Sequence, residues 1–181
     1  MITKYNLFEN TISPLWDMIQ NNATFDEIKK EVETGLYINQ CNTINNRSPL
    51  MYAVLNQDLV LVEYLLEKNT DPNIIANDRC SALCYAAEND LLEISIILID
   101  YGADVDQQDS KGRTILMRKL NYMTEPTVNI FIENTSWIRK DAFGWNILDY
   151  LSETYRKKII KKYPDKYRQY LAHLNSKKFN L

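Results

Sequence analysis

SPLMYAV, from Ser48 to Val54, returns as SALCYAA from Ser81 to Ala87 and again as TILMRKL from Thr114 to Leu120, each copy 33 residues after the last. A further shift of 32 brings NILDYL (Asn146 to Leu151) onto the same frame. The later part of the period repeats with it, since VEYLLEKNTDPN (Val62 to Asn73) lies over SIILIDYGADVD (Ser95 to Asp106). Two separated blocks recurring together mark a tandem array, and a period of this length is one supersecondary unit.

In each block a Ser, Thr or Asn precedes a small apolar run, the arrangement of an N-cap followed by a helix start. Pro49 follows Ser48 directly, at the first helical position, where a missing N–H costs least. The small residues Ala53, Ala86 and Ala87 leave room for a second helix with its own apolar stripe at Leu61, Val62, Leu65 and Leu66, or Ile94, Ile97 and Leu98. Gly102 is suited to end that helix as a left-handed cap, and the loops TDPNIIANDR and ADVDQQDSKG carry the chain onward. Neither helix pair can bury its apolar face alone, so the pairs must stack. The expected fold is all-α, a solenoid of antiparallel helix pairs with hairpin loops.

At these residues the chain resembles the ankyrin-repeat family: in YGADVDQQDSKGRTIL (Tyr101 to Leu116), in RSPLMYAV from Arg47, and in DAFGWNIL from Asp141. The resemblance implies four to five repeats plus a C-terminal basic helix. Departures are also visible. Asn69 replaces the helix-ending glycine, Arg79 replaces the hairpin glycine, and Met51, Cys84, Met117 and Asp149 stand where the family carries histidine. The hydrogen bonds that this histidine makes in the family are therefore expected to be absent.

The frame divides the chain into a solenoid over 1–154 and a basic helical extension over 155–181. Within the solenoid, 13–42 reads as a degenerate N-terminal cap, 43–75, 76–108 and 109–140 as repeats, and 141–163 as a degenerate C-terminal repeat running past the boundary. The cap has a Pro near a helix start, Thr24 before FDEIKKEV and Gly35 after it; the charge on its second helix suits a terminal repeat with one polar face. Glu153 to Ile160 and, after the break at Pro164, Asp165 to Asn175 are expected to be helices.

Four glycines and five prolines are too few for a low-complexity chain and low for a sheet protein, which agrees with helix. No stretch approaches the ~18 consecutive apolar residues of a spanning helix, and MITKYNLFENTISPLW has no secretory pattern. The expected location is cytoplasmic, or the host cytosol for an effector. Cys41, Cys80 and Cys84 form an odd set, which argues against a disulfide framework and for a reducing compartment. A zinc site from Cys80 and Cys84 lacks a second pair, and the single histidine, His173, lies far along the chain.

Chemistry finds little support. There is no Gly-rich phosphate loop, GxSxG or HExxH, and no histidine falls near Cys84 in the frame. No enzymatic activity, cofactor, metal or small-molecule substrate is expected. Binding of another protein is expected instead, because stacked helix pairs produce a long concave surface made of hairpin tips and first helices. In the ankyrin family those positions carry partner contacts. By register they are Arg47, Asn56, Asn77, Asp78, Glu88, Asn89, Lys111, Arg113, Tyr122 and Trp145. Tyr52 and Tyr85 stand 33 residues apart, with Tyr150 in the matching place and Arg118 between. Aromatic and Arg residues favour interfaces, so this row is a candidate contact patch; padding between adjacent repeats is the alternative.

Residues 155–181 carry nine basic residues against one acid, net +8, while the rest of the chain is at net −11. Arg156, Lys157, Lys158, Lys161 and Lys162 head this tail. Packing as a C-terminal cap, a charged partner, nucleic acid, and a membrane surface are the readings it allows. The family resemblance adds Asn73 as a candidate for hydroxylation by an oxygen-dependent asparaginyl hydroxylase. Two roles remain: an interaction module or inhibitor that captures a host factor for a virus or intracellular bacterium, and an adaptor whose repeats select a target while its tail contacts an enzyme, acidic partner, membrane or nucleic acid.

Overall fold

A computed structural model describes residues 14–34 and 38–178. Residues 1–13, 35–37 and 179–181, Gly35 among them, lie outside the described residues. The chain forms two compact units, 1–82 and 83–181. The first holds α1 (Leu15–Gln20), α2 (Phe25–Glu33), α3 (Pro49–Leu55) and α4 (Leu59–Glu67). Here α1 packs on α2 and α3, and α3 packs on α4. The second unit begins one residue into α5 (Ala82–Glu88) and continues with α6 (Leu92–Asp100), α7 (Ile115–Lys119), a 3-10 turn at Leu120–Tyr122, α8 (Glu125–Asn134), α9 (Ile147–Tyr150), α10 (Glu153–Lys162) and α11 (Pro164–Lys178). In it α8 packs on α6 and α7, α7 on α9, and α10 on α11. No strand occurs among the described residues; an isolated bridge pairs Gln108 with Thr114. The fold is all-α, built from the expected helix pairs. None of these helices is long and apolar enough to cross a membrane.

The helix starts follow from their caps. Ser48 Oγ accepts the Met51 N–H at 3.3 Å and Pro49 occupies the first turn. Thr114 receives the Met117 N–H at 3.4 Å, and Asp58 receives the Leu61 N–H at 3.0 Å. Thr24 and Glu27 cap α2 reciprocally, with the Thr24 N–H donating to Glu27 Oε2 at 2.9 Å. Each cap satisfies an amide that the helix itself leaves orphaned. The buried side chains are those of the periodic stripes: Leu50, Met51, Leu61 and Leu65 in the first unit, and Leu98, Ile115, Leu116, Phe131 and Ile132 in the second.

The absent histidine is partly replaced, which corrects the expected loss of its hydrogen bonds. The Ser48 N–H points at Met51 Sδ at 3.4 Å, and the Asn146 N–H donates to Asp149 Oδ2 at 2.9 Å. A thioether and a carboxylate thus serve the helix start from the histidine position. The cysteine reading is also corrected. Cys80 and Cys84 are disulfide-bonded, and Cys41 is free. The case for a reducing compartment, which rested on unpaired thiols, loses its premise.

Left-handed backbone recurs in register whichever residue stands there. The second helices end on Asn69 (φ 62°) and Gly102 (φ 86°), 33 residues apart. The hairpins turn at Asn46 (φ 56°), Arg79 (φ 66°), Gly112 (φ 71°) and Gly144 (φ 83°). Asn at two of these positions takes this backbone at little cost, whereas Arg79 does not favour it, so there the turn is held by the surrounding structure rather than by local preference.

Candidate functional site

Each hairpin is closed by short polar side chains, at its entry (Asn42, Asp109, Asp141) or within its turn (Asn45, Asp78). Asn42 Oδ1 accepts the Ile44 N–H at 2.8 Å, and Asp78 Oδ1 accepts the Cys80 N–H at 3.1 Å. Asp109 Oδ1 takes the Lys111 and Arg113 amides, and Asp141 Oδ1 those of Phe143 and Trp145, all at 2.9 Å. Such Asx turns hold the loop against its own backbone. Neighbouring hairpins are then bonded to each other within each unit. The Asn77 N–H donates to the Asn45 carbonyl at 2.9 Å and Asn77 Nδ2 to the Ile44 carbonyl at 3.0 Å. In the second unit the Ala142 N–H reaches the Lys111 carbonyl at 2.8 Å, and Gln108 Nε2 the Lys140 carbonyl at 3.2 Å.

The row Tyr52, Tyr85, Arg118 and Tyr150 does not form an exposed edge. Tyr52 and Tyr85 are buried, and the Arg118 side chain is 12% exposed. Tyr52 stacks on Trp16, and its hydroxyl accepts from Asn42 Nδ2 and Asn45 Nδ2, both at 3.1 Å. Arg118 Nε lies 3.8 Å from Asp109 Oδ2, and the Tyr150 hydroxyl donates to Asp141 Oδ2 at 2.7 Å. Tyr52, Arg118 and Tyr150 each pin a hairpin to the first helix of its own repeat rather than forming an accessible contact patch, and through Trp16 the Tyr52 ring also fills the gap to the preceding helix pair.

The pinned carboxylates show it electrostatically. For both Asp109 and Asp141 burial works to raise the pKa but loses. Arg113 and the loop amides hold Asp109 below its ordinary value; the Tyr150 hydroxyl and the Trp145 and Phe143 amides do so for Asp141. Burial and the Asp141 carboxylate together push the Tyr150 hydroxyl up to about 12.

Other register candidates are held in the framework to varying degrees. Arg47 pairs with Asp78 at 3.5 Å, and Arg113 grips Asp109 through Nε at 3.0 Å and Nη2 at 2.7 Å. Glu88 pairs with Lys119 at 2.8 Å. Asn56 Nδ2 donates to the Ile19 carbonyl at 3.2 Å, and Asn89 Nδ2 to the Tyr85 carbonyl at 2.9 Å. Lys111 is exposed and has no ion-pair partner among the described residues. Tyr122 is exposed beneath Lys119, whose ammonium sits 5.6 Å from its ring.

Trp145 is 54% exposed and leans edge-on against Tyr150 at 5.9 Å. Beside it is Phe143, which sequence reasoning missed: it is 75% exposed and 6.5 Å from the Trp145 ring. The signal was present in FGW, two aromatics flanking the hairpin glycine. Ile44, 84% exposed at the tip of the first hairpin, was missed as well. Asn73 sits exposed in the loop after α4, its amide donating to Asp71 Oδ1 at 2.8 Å.

The basic tail folds as two helices that cover their neighbours. Ile159 is fully buried, Asn146 Nδ2 donates to the Tyr170 hydroxyl at 2.9 Å, and Tyr163 packs edge-on against Trp137. Lys158 is paired with Glu125, whose carboxyl this ammonium holds below its ordinary value. Arg156 Nη2 donates to the Leu151 carbonyl at 3.3 Å, and Lys157 pairs with Glu153 at 2.6 Å. Lys161 and Lys162 stay exposed, the latter 5.1 Å over the Tyr163 ring.

Residues 15–109 match the family model described as ankyrin repeats (3 copies). The chain is 34% identical over 86 residues to an ankyrin repeat protein, FPV034, of fowlpox virus, covering 46% of this chain and 21% of that one. It is 32% identical over 99 residues to the ankyrin repeat protein R841 of Acanthamoeba polyphaga mimivirus, covering 49% and 16%. A Danio rerio protein whose name carries a palmitoyltransferase assignment, ZDHHC13, is 27% identical over 124 residues, covering 68% and 19%. The chain thus spans about a fifth or less of the length of these relatives. With a matching family model over more than half its residues and the recurrent capped helix pairs, this chain belongs to the ankyrin-repeat family, whose repeats are protein-interaction modules.

Proposed function

We propose that the chain is a non-catalytic interaction module that captures a partner protein through its hairpin tips. The observation that carries this is the pair Phe143 and Trp145. Two large aromatic side chains stand in solvent on a loop whose backbone is clamped by Asp141 and Tyr150. Exposing them costs solvation free energy, and clamping the loop removes in advance the entropy that a partner would otherwise have to offset. Aromatic anchors on a rigid support are the usual carriers of binding energy. Lys111 and the exposed Tyr122 belong to the same reading. Likeness to the fowlpox and mimivirus ankyrin repeat proteins supports a finer version, in which the module is a viral-type effector or inhibitor directed at a host factor. Asn73, exposed in the loop after α4, is read as a hydroxylation site.

The test is affinity capture with the intact chain beside a Phe143→Ser, Trp145→Ala double variant, both checked for helicity by circular dichroism. Retention of one protein by the intact chain and its loss from the folded variant supports the reading. Equal capture by both overturns it.

A further inference from the structure

Two adjoining pockets open between the loop after α8 and the face of α11. One, of about 300 Å³, is lined by Ser136, Trp137, Ile138, Lys166, Gln169, Tyr170 and His173. The other, of about 400 Å³, adds Gln108, Arg139 and Lys140 and shares Ser136, Ile138 and His173. No carboxylate lines either one. Asp106 is already engaged, accepting the Ser136 amide and the Thr135 hydroxyl, and with Glu133 it acts on Lys166 from outside the lining. Lys166 itself donates to the Glu133 carbonyl rather than to a carboxylate. Arg139 and Lys140 are exposed and have no ion-pair partner among the described residues. The cleft therefore gathers three cations and the chain's single histidine around Ile138, which is 41% exposed.

We propose that this cleft is a second binding site, and that it takes an acidic peptide segment of a partner protein. One apolar side chain of that segment seats on Ile138, and its flanking carboxylates meet Arg139, Lys140 and His173. Unpaired cations bordering an apolar floor complement this chemistry, and the charges also speed encounter. A single-stranded nucleic acid fits less well, because its bases need an aromatic face to stack on. Trp137 is 2% exposed, with its ring against Tyr163 and its face toward Lys166, and the half-buried Tyr170, the other aromatic of the lining, is stacked on Tyr167 and held through its hydroxyl by Asn146. The site stands apart from the Phe143 and Trp145 tip in the residues it uses and does not depend on it.

The experiment is fluorescence anisotropy of the whole chain with a labelled peptide of glutamates flanking one leucine. A lysine-for-glutamate version of the peptide and a single-stranded oligonucleotide serve as competing probes. Wild type is expected to bind the glutamate peptide alone. Arg139→Glu with Lys140→Glu is expected to weaken binding about tenfold or more, while Lys157→Glu with Lys161→Glu on α10 leaves it nearly unchanged. Ile138→Ser is expected to remove the preference for the leucine-containing peptide over an all-glutamate one. The proposal is overturned if no glutamate peptide binds, if both charge reversals weaken binding equally, or if the oligonucleotide binds more tightly.

Discussion

The Tyr150 hydroxyl donates to Asp141 Oδ2 at 2.7 Å, joining the start of a hairpin to the first helix that follows it. Asp109 and Arg118 hold the same register one repeat earlier, at 3.8 Å, and Tyr52 accepts from Asn42 in the first unit. Three different chemistries thus perform one task, which is to fix the angle at which the hairpin leaves its helix.

Tyr150→Phe removes that hydroxyl while keeping the ring beneath Trp145. The expected outcome is a lower Tm with unchanged helicity, and a change in Trp145 fluorescence as its loop loosens. The folded-state pKa of Tyr150 is raised to about 12, so its contribution is fully present below the unfolded value near 10 and is lost as pH rises through about 12. Difference titration of tyrosinate absorbance between wild type and variant should show one late-titrating group missing from the variant.

Asp109→Asn leaves Arg113 and Arg118 facing a neutral amide. A loss of about 1.5 to 3 kcal/mol is expected, the scale for a hydrogen bond to a charged group, read as a lower urea midpoint with an unchanged slope. The folded pKa of Asp109 is depressed. Its stabilisation is therefore present above the ordinary carboxylate value and is lost as pH falls through the lower folded value. The gap between wild type and variant should be constant near neutrality and close in acid. A gap that widened in acid would contradict this assignment.

Gly102 and Gly112 both have left-handed backbone, at φ 86° and 71°, but differ in surroundings. A Cβ at Gly102 meets nothing within 4 Å, whereas at Gly112 it would lie 3.2 Å from Asp141 Cα. Gly102→Ala should cost about 1 kcal/mol from backbone strain alone. Gly112→Ala should cost more, because the hairpin 141–145 must also move. Thermal melts of the two variants order them directly, and equal shifts would mean that the hairpins yield easily.

Treatment of the purified chain with an oxygen-dependent asparaginyl hydroxylase is expected to add about 16 Da, one oxygen atom, mapped by peptide mass to Asn73. An Asn73→Ala chain should gain nothing. An unmodified wild-type chain after exhaustive treatment would remove Asn73 from consideration.

The 33-residue frame, the caps at Ser48 and Thr114 and the stripes at Leu61–Leu66 and Ile94–Leu98 were legible in the sequence. They rest on local rules: a cap needs one oxygen at one position, and a stripe needs only helical spacing. Even the left-handed turn at Arg79 could be located, by register with Gly112. Whether a first-helix side chain faces solvent or its own hairpin was not legible, because that depends on how far the loop folds back. Tyr52 and Tyr85 therefore looked like an interface while the structure buries them, and Phe143 stood unnoticed beside Trp145. The Arg139, Lys140, Lys166 and His173 cluster lay further still from sequence reasoning. Its members come from a loop and from a helix more than twenty residues later, and only the packing of α11 in the second unit brings cations together that the chain order keeps apart.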